Sequence, residues 1–117
     1  MVSERRYNVM ARKVGGHYRD QYFEKYMDFL RKETDESREK EGKDPYSDVT
    51  LKTMATDTFF LEKHEARDFK EWLKSDDSLD EARQALISHF TGRRKNPAKD
   101  AEYYVQRMID FKRFLGM

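Results

Sequence analysis

The stretch that decides the fold is the last one in the chain, residues 96–117, which reads NPAKDAEYYVQRMIDFKRFLGM. Asn96 can accept a backbone hydrogen bond as an N-cap, and Pro97 suits the first helical position because the N–H that it lacks would have no partner there. Gly116 can adopt the left-handed conformation that ends many helices. The sequence therefore predicts one long helix with a recognisable residue at each end.

Apolar side chains recur along this helix at steps of three and four residues, which predicts one buried face. The positions on that face are Ala101, Tyr104, Val105, Met108, Ile109, Lys112 and Leu115, all of them apolar except Lys112, and Phe111 and Phe114 widen it. A helix with so wide an apolar face needs cover. We expect the rest of the chain to supply amphipathic segments that pack on it.

The first part of the chain predicts an arm, a helix and a polar linker. Residues 1–16, which end in two glycines, show only a brief alternation of apolar residues and are expected to form a flexible N-terminal arm. From His17 to about Glu33, aromatic and aliphatic residues at helical spacing predict a helix. The polar segment at about residues 34–47 is expected to be a mobile linker or a solvated extension of that helix.

Three more helices are expected before the last one. Their predicted boundaries are a cap at Ser47 or Asp48 with a break at residues 56–58, a helix from Glu62 to Lys74, a turn at residues 75–77, and a helix from Ser78 to Gly92. Ser78 and Glu81 have the spacing of a capping box, in which each side chain bonds the free backbone N–H of the other. We find no segment of normal strand length.

These segments predict an all-α fold, a single domain over residues 17–117 built as a small orthogonal bundle of four or five helices. The predicted core consists of Tyr22, Tyr26, Leu30, Leu51, Phe69, Trp72, Leu73, Leu86, Phe90, Tyr104, Met108, Ile109 and Leu115.

Composition agrees with one small folded domain. The 117 residues are 40% charged and 37% hydrophobic with a mean hydropathy of −1.11, but 14% aromatic residues favour a packed interior. The absence of cysteine excludes a disulfide framework, a thiolate nucleophile and cysteine metal ligands. No apolar run resembles a signal core or a membrane span, so we expect a soluble cytoplasmic protein.

Charge is nearly balanced overall but unevenly distributed. The net charge is +1, whereas residues 1–19 carry five basic residues against one acidic and residues 91–117 carry seven against three. If these two segments meet in the fold, they form one positive patch on an otherwise acidic body. The alternative is ordinary solvated charge scattered over the surface.

Catalytic patterns are weak in this sequence. His17, His64 and His89 lie far apart, and none has the spacing of a known metal-binding pair. Asp68 follows His64 by four residues, but polar residues on an outward helix face explain that pair better. The sequence therefore predicts no catalytic residue, no cofactor and no metal site, and a protein that is not an enzyme.

Binding is the better-supported class of function. A basic turn follows Gly92 and leads into the N-terminus of the last helix, where the helix dipole favours an anion. The predicted nucleic-acid-binding residues are Arg93, Arg94, Lys95, Lys99 and Arg107. Two alternatives remain open: the turn and the helix face are only solvated, or the protein is an interaction adaptor that docks another protein.

Four segments together resemble a known family, namely residues 22–30 (YFEKYMDFL), residues 69–73 (FKEWL), the helix from Ser78 to Phe90, and residues 104–115 (YVQRMIDFKRFL). Their order is similar to that in the SAM-like core-binding domain of tyrosine recombinases and phage integrases. The resemblance implies a small helical bundle that clamps DNA, of phage or mobile-element origin. In that family a separate domain carries the catalytic residues, and because this chain ends at Met117 we expect no strand exchange. The polar segment at residues 34–47 departs from the pattern.

Overall fold

The computed structural model of the protein describes residues 17–117. In that range the chain forms six helices and no strand: α1 (His17–Lys40), α2 (Asp48–Thr58), α3 (Phe60–His64), α4 (Phe69–Leu73), α5 (Asp76–Phe90) and α6 (Pro97–Leu115). The predicted all-α fold is confirmed. The predicted arm at residues 1–16 lies outside the described residues.

Helix α6 is the element on which the others pack. Its ends are as predicted: the Asn96 side chain accepts the Lys99 N–H at 3.3 Å, Pro97 is the first helical residue, and Gly116 adopts φ 77°. All five other helices contact it, including α3 through the Phe60 and Tyr104 rings, and α5 forms the largest of these interfaces. The capping residues therefore determine where α6 begins and ends, and its apolar face determines which side packs against the other helices.

Helix α1 continues to Lys40, about two turns beyond the predicted end near Glu33. The extension alternative is therefore correct for residues 34–40. Residues in this part of the helix are mostly exposed, so the apolar periodicity that marks a helix stops before the helix does. The Arg38 guanidinium covers the Tyr46 ring at 4.2 Å, and Lys43 N–H donates to the Arg38 carbonyl at 2.8 Å. These contacts fold the following loop back onto the helix.

The predicted helix from Glu62 to Lys74 is wrong, because the chain forms two short helices there. Glu65 is extended, with φ −124° and ψ 145°, and ends α3. The break lets Leu61 of α3 and Phe69 of α4 both become fully buried, at 1% and 0% exposed. The split also raises the number of helices to six in residues 17–117, above the predicted four or five.

Helix α5 begins earlier than predicted. A capping box is present, but it joins Ser75 and Ser78: Ser75 Oγ accepts the Ser78 N–H at 3.1 Å, and Ser78 Oγ accepts the Ser75 N–H at 2.9 Å. The predicted turn at residues 75–77 therefore leads directly into the first turn of α5. Glu81, predicted as half of the box, pairs with Arg67 at 2.7 Å. The helix ends before Gly92, as predicted.

Aromatic rings fill the centre of the molecule around Phe111. Its ring centroid lies 5.1 Å from that of Tyr26, 5.0 Å from Phe59 and 5.8 Å from Phe69. All four side chains are at most 2% exposed. Of the thirteen predicted core residues, ten are buried. The other three, Tyr22, Ile109 and Leu115, are half-buried at the edge of the core. Phe59, Leu61 and Phe111 are core residues that the prediction omitted.

Candidate nucleic-acid interface

The basic turn joins α5 to α6 and is held close to the end of α5. The backbone N–H groups of Arg93 and Arg94 both donate to the Phe90 carbonyl, at 2.9 and 3.0 Å. Gly92 has φ +81°, a conformation that glycine adopts without steric cost. Arg93 and Lys95 are both exposed. A short, hydrogen-bonded turn thus projects two cations from one end of the bundle.

Arg94 is also exposed, but its side chain lies back against the surface of α5 and α6. Its guanidinium lies 4.1 Å from the centroid of the Phe90 ring, donates to Tyr104 Oη at 3.2 Å and pairs with Asp100 at 3.4 Å. The pKa of Arg94 is raised, chiefly by the hydrogen bond to Tyr104, so this group stays charged. The structure therefore places Arg94 where it fixes the turn, with its charge partly balanced by Asp100.

Asp57 of α2 anchors the same region from the other side. Tyr103 Oη donates to one carboxylate oxygen at 3.1 Å, and Tyr104 Oη donates to the other at 3.5 Å. Burial raises the pKa of Asp57, and burial with the nearby Asp57 charge raises the pKa of Tyr103 to about 12. This network ties α2, α6 and the turn together.

Arg107 lies on α6, about two helical turns after Lys99. Its side chain is 15% exposed and pairs with Asp110 at 3.1 Å, and its guanidinium covers the Tyr103 ring at 5.1 Å. Its Nε is buried without a hydrogen-bond partner among residues 17–117. Burial raises the pKa of Asp110, and the Arg107 charge opposes that rise. Arg107 is therefore paired with Asp110, and both Arg107 and Arg94 lie close enough to Asp57 for their charges to lower its pKa.

Arg93, Lys95 and Lys99 lie close together in the chain and are all exposed. Six of the nine arginines in residues 17–117 pair with a carboxylate: Arg31, Arg67, Arg83, Arg94, Arg107 and Arg113. Arg19 and Arg38 instead cover aromatic rings. Within the described part of the chain, Arg93 has neither kind of partner, and no carboxylate lies within ion-pair distance of Lys95 or Lys99.

The N-terminus of α6 offers few free amides to an anion. Asn96 already accepts the Lys99 N–H, and Pro97 has no N–H to give. The Asp100 N–H donates to the Asn96 carbonyl at 3.1 Å. The first turn therefore offers a phosphate at most the amide of Ala98. Side chains must supply the contacts that the sequence assigned partly to the helix terminus.

Two histidines lie beside the basic turn, a grouping that the sequence did not predict. The ring centroids of His64 on α3 and His89 on α5 are 5.6 Å apart, and Phe60 contacts both rings. His89 Nε2 lies 2.7 Å from the Glu65 carboxylate. Burial lowers the pKa of His64, and the positive charges of His89, Lys63 and Arg93 lower it further. No pattern in the sequence links residues on α3 with a turn about thirty residues later.

Another cleft lies between the end of α1, the following loop and α6. It has a volume of about 290 Å³, and Arg107, Asp110 and Arg113 line one wall. These groups pair with one another, and Arg113 also pairs with Glu33 of α1. The cleft wall is thus a chain of alternating charges that joins α1 to α6.

Residues 17–117 contain neither a candidate metal site nor a helix that could cross a membrane. No three histidine, aspartate or glutamate side chains in that range are grouped so that they could hold a metal ion. None of its helices combines the length and the apolar character needed to cross a membrane.

Comparison of the chain with models of protein families, with curated protein sequences and with solved structures finds no match. The resemblance to recombinase core-binding domains therefore stays a prediction.

Proposed function

We propose that this protein is a non-enzymatic DNA-binding module that contacts phosphates through Arg93, Lys95 and Lys99. The observation that carries the proposal is the set of cations on one exposed turn and helix start, none with a carboxylate partner in residues 17–117. Elsewhere on the described surface most arginines are neutralised by such partners. Uncompensated cations that project from a rigid turn suit a phosphate backbone, which is read by charge and position.

Arg94 and Arg107 are predicted from their charge to bind nucleic acid, but in this proposal neither contacts a phosphate directly. Arg94 supports the turn through Phe90, Tyr104 and Asp100 and adds positive potential without a direct contact. Arg107 is held by Asp110 and is not required for binding. The proposed contact surface is therefore smaller than the predicted one.

The resemblance to the SAM-like core-binding domains supports DNA as the partner, because those domains clamp DNA. On the basis of this resemblance we also propose that the helices form a SAM-like orthogonal bundle, and that the chain has a phage or mobile-element origin.

An amide chemical-shift titration of the labelled protein with a generic DNA duplex tests this proposal. We expect shifts centred on residues 93–99 at low salt that fade towards physiological salt, because binding releases counterions from the DNA. Three phosphate contacts predict a slope of roughly −3 for the logarithm of the association constant against the logarithm of the salt concentration. Flat spectra at low salt would contradict the proposal and leave the protein-docking alternative.

A charge-reversal pair sharpens the test. In Arg93→Glu/Lys95→Glu we expect the salt slope to become less steep, from roughly −3 to roughly −1, because two phosphate contacts are lost. The matched control, Lys25→Glu/Lys32→Glu, reverses two exposed lysines of α1 and should leave affinity and slope near those of the unmodified protein. Equal loss in both variants would show that only net charge matters, and would argue against a defined contact surface.

A further inference from the structure

The basic turn is not the end of the positive surface, which continues onto α3. Arg93 lines an open cleft of about 320 Å³ together with His89 and Glu65. Lys63 and His64 form the last turn of α3 and are both exposed. These residues come from three elements that are separate in the sequence.

His64 differs from its neighbour His89 in its charge environment. His89 has the Glu65 carboxylate at 2.7 Å, so a proton on His89 has a partner. No carboxylate in the described part of the chain lies within ion-pair distance of His64. The charged and titratable groups that face it are His89 from α5, Arg93 from the turn, and Lys63 and Glu65 from its own segment. Three of these four are basic.

We propose that the phosphate-contacting surface includes Lys63 and His64, and that DNA binding takes up a proton at His64, so that affinity rises as the pH falls from about 8 to about 5.5. This inference rests on the proposed function. Without DNA, partial burial and the surrounding cations favour neutral His64 and lower its pKa. A phosphate placed against Arg93 and Lys63 offsets those cations and favours the imidazolium, which can then donate a charge-assisted hydrogen bond.

The experiment measures the pKa of each histidine by NMR of its ring protons, with and without the same generic DNA duplex at fixed ionic strength. We expect DNA to raise the pKa of His64 by about one unit and to leave that of His17 nearly unchanged. By linkage, a rise of one unit corresponds to an affinity gain of up to about tenfold at low pH. Fluorescence anisotropy with a labelled duplex measures that gain between pH 8 and pH 5.5.

A pair of variants assigns the effect to one side chain. His64→Asn should bind with the high-pH affinity of the unmodified protein and lose most of the pH dependence. His17→Asn, which removes an exposed histidine at the start of α1, should keep it. Because His64 is exposed, we expect the variant to fold, and a thermal melt of each protein checks this.

The outcomes separate this inference from the function on which it rests. Binding whose affinity is the same at every pH, or a pH dependence that His64→Asn retains, overturns the role of His64 and leaves the DNA-binding proposal standing. The absence of DNA binding at every pH and at low salt overturns both.

Discussion

Glu62 brings a carboxylate into the interior, and the first turn of α1 holds it there. The side chain is 0% exposed, and its two oxygens accept the backbone N–H groups of Tyr18 at 2.8 Å and Arg19 at 2.9 Å. Within residues 17–117 those amides have no helical partner, and the positive end of the helix dipole favours a negative charge. Burial raises the pKa of Glu62, while the two hydrogen bonds oppose that rise. A residue of α3 therefore caps α1.

We expect Glu62→Ala to lower the free energy of unfolding by about 2 to 4 kcal/mol, because two hydrogen bonds to a charged group are lost and two partly buried amides of α1 lose their acceptor. Urea denaturation followed by circular dichroism measures this change. The control Glu24→Ala removes an exposed carboxylate of α1 and should cost less than about 0.5 kcal/mol. A similar small effect in both variants would show that Glu62 does not cap α1.

The sequence gives no sign of this role. Glu62 belongs to a segment with several other acidic residues, and the amides that it bonds are 43 and 44 residues away. The same limit applies to Arg94 and Arg107, where the sequence shows two positive charges and cannot show that Asp100 and Asp110 balance them. Only the fold decides which charges are neutralised. Closeness in the chain groups Arg93, Lys95 and Lys99 with Arg94, and only the contacts in the fold distinguish Arg94 from the other three.

At the scale of the helix, the sequence predicts helix boundaries correctly where the capping residues and the apolar periodicity indicate the same ends. Both ends of α6 are as predicted, and Ser47, one of the two residues predicted to cap α2, is its N-cap, because each of these caps depends on residues within one helical turn. Between residues 59 and 75 the predicted helix boundaries are wrong. The apolar residues of this segment fit one continuous helix, but burying Leu61 and Phe69 in the same core requires a break between them. That requirement comes from packing and has no local marker.

The capping box of α5 gives a prediction for a single element. Ser78 Oγ accepts the Ser75 N–H and also lies 2.9 Å from the Trp72 carbonyl, so it joins the start of α5 to α4. We expect Ser78→Ala to cost about 1 to 2 kcal/mol of stability, in the range of a lost N-cap. Thermal unfolding measures it.

Ser88→Ala serves as the comparison, because Ser88 is an exposed serine in the same helix with no side-chain hydrogen bond to another described residue. It should change stability little or slightly improve helix propensity. If Ser78→Ala proved as mild as Ser88→Ala, the box would contribute nothing measurable to α5.

Across the whole molecule, one continuous core joins all six helices of residues 17–117 and includes the single tryptophan. Trp72 is 5% exposed, and the Arg67 guanidinium covers its ring at 4.1 Å. Its indole Nε1 is buried without an acceptor in the described residues, so its contribution comes from packing. Small domains have little stability to spare, since the total is commonly about 5 to 15 kcal/mol. A large cavity at this position should therefore affect the entire fold.

We expect Trp72→Ala to lower the free energy of unfolding by about 3 to 5 kcal/mol, the usual cost of truncating a buried aromatic residue. Far-UV circular dichroism in urea is the suitable measurement, because the variant has no tryptophan left for fluorescence. Trp72→Phe keeps most of the apolar volume and removes the unpaired N–H, so it should cost clearly less than the alanine variant. Since one core joins the helices, both variants should still unfold in one cooperative transition. Unchanged stability in Trp72→Ala would remove Trp72 from the core, and a biphasic transition would mean that the helices do not share one.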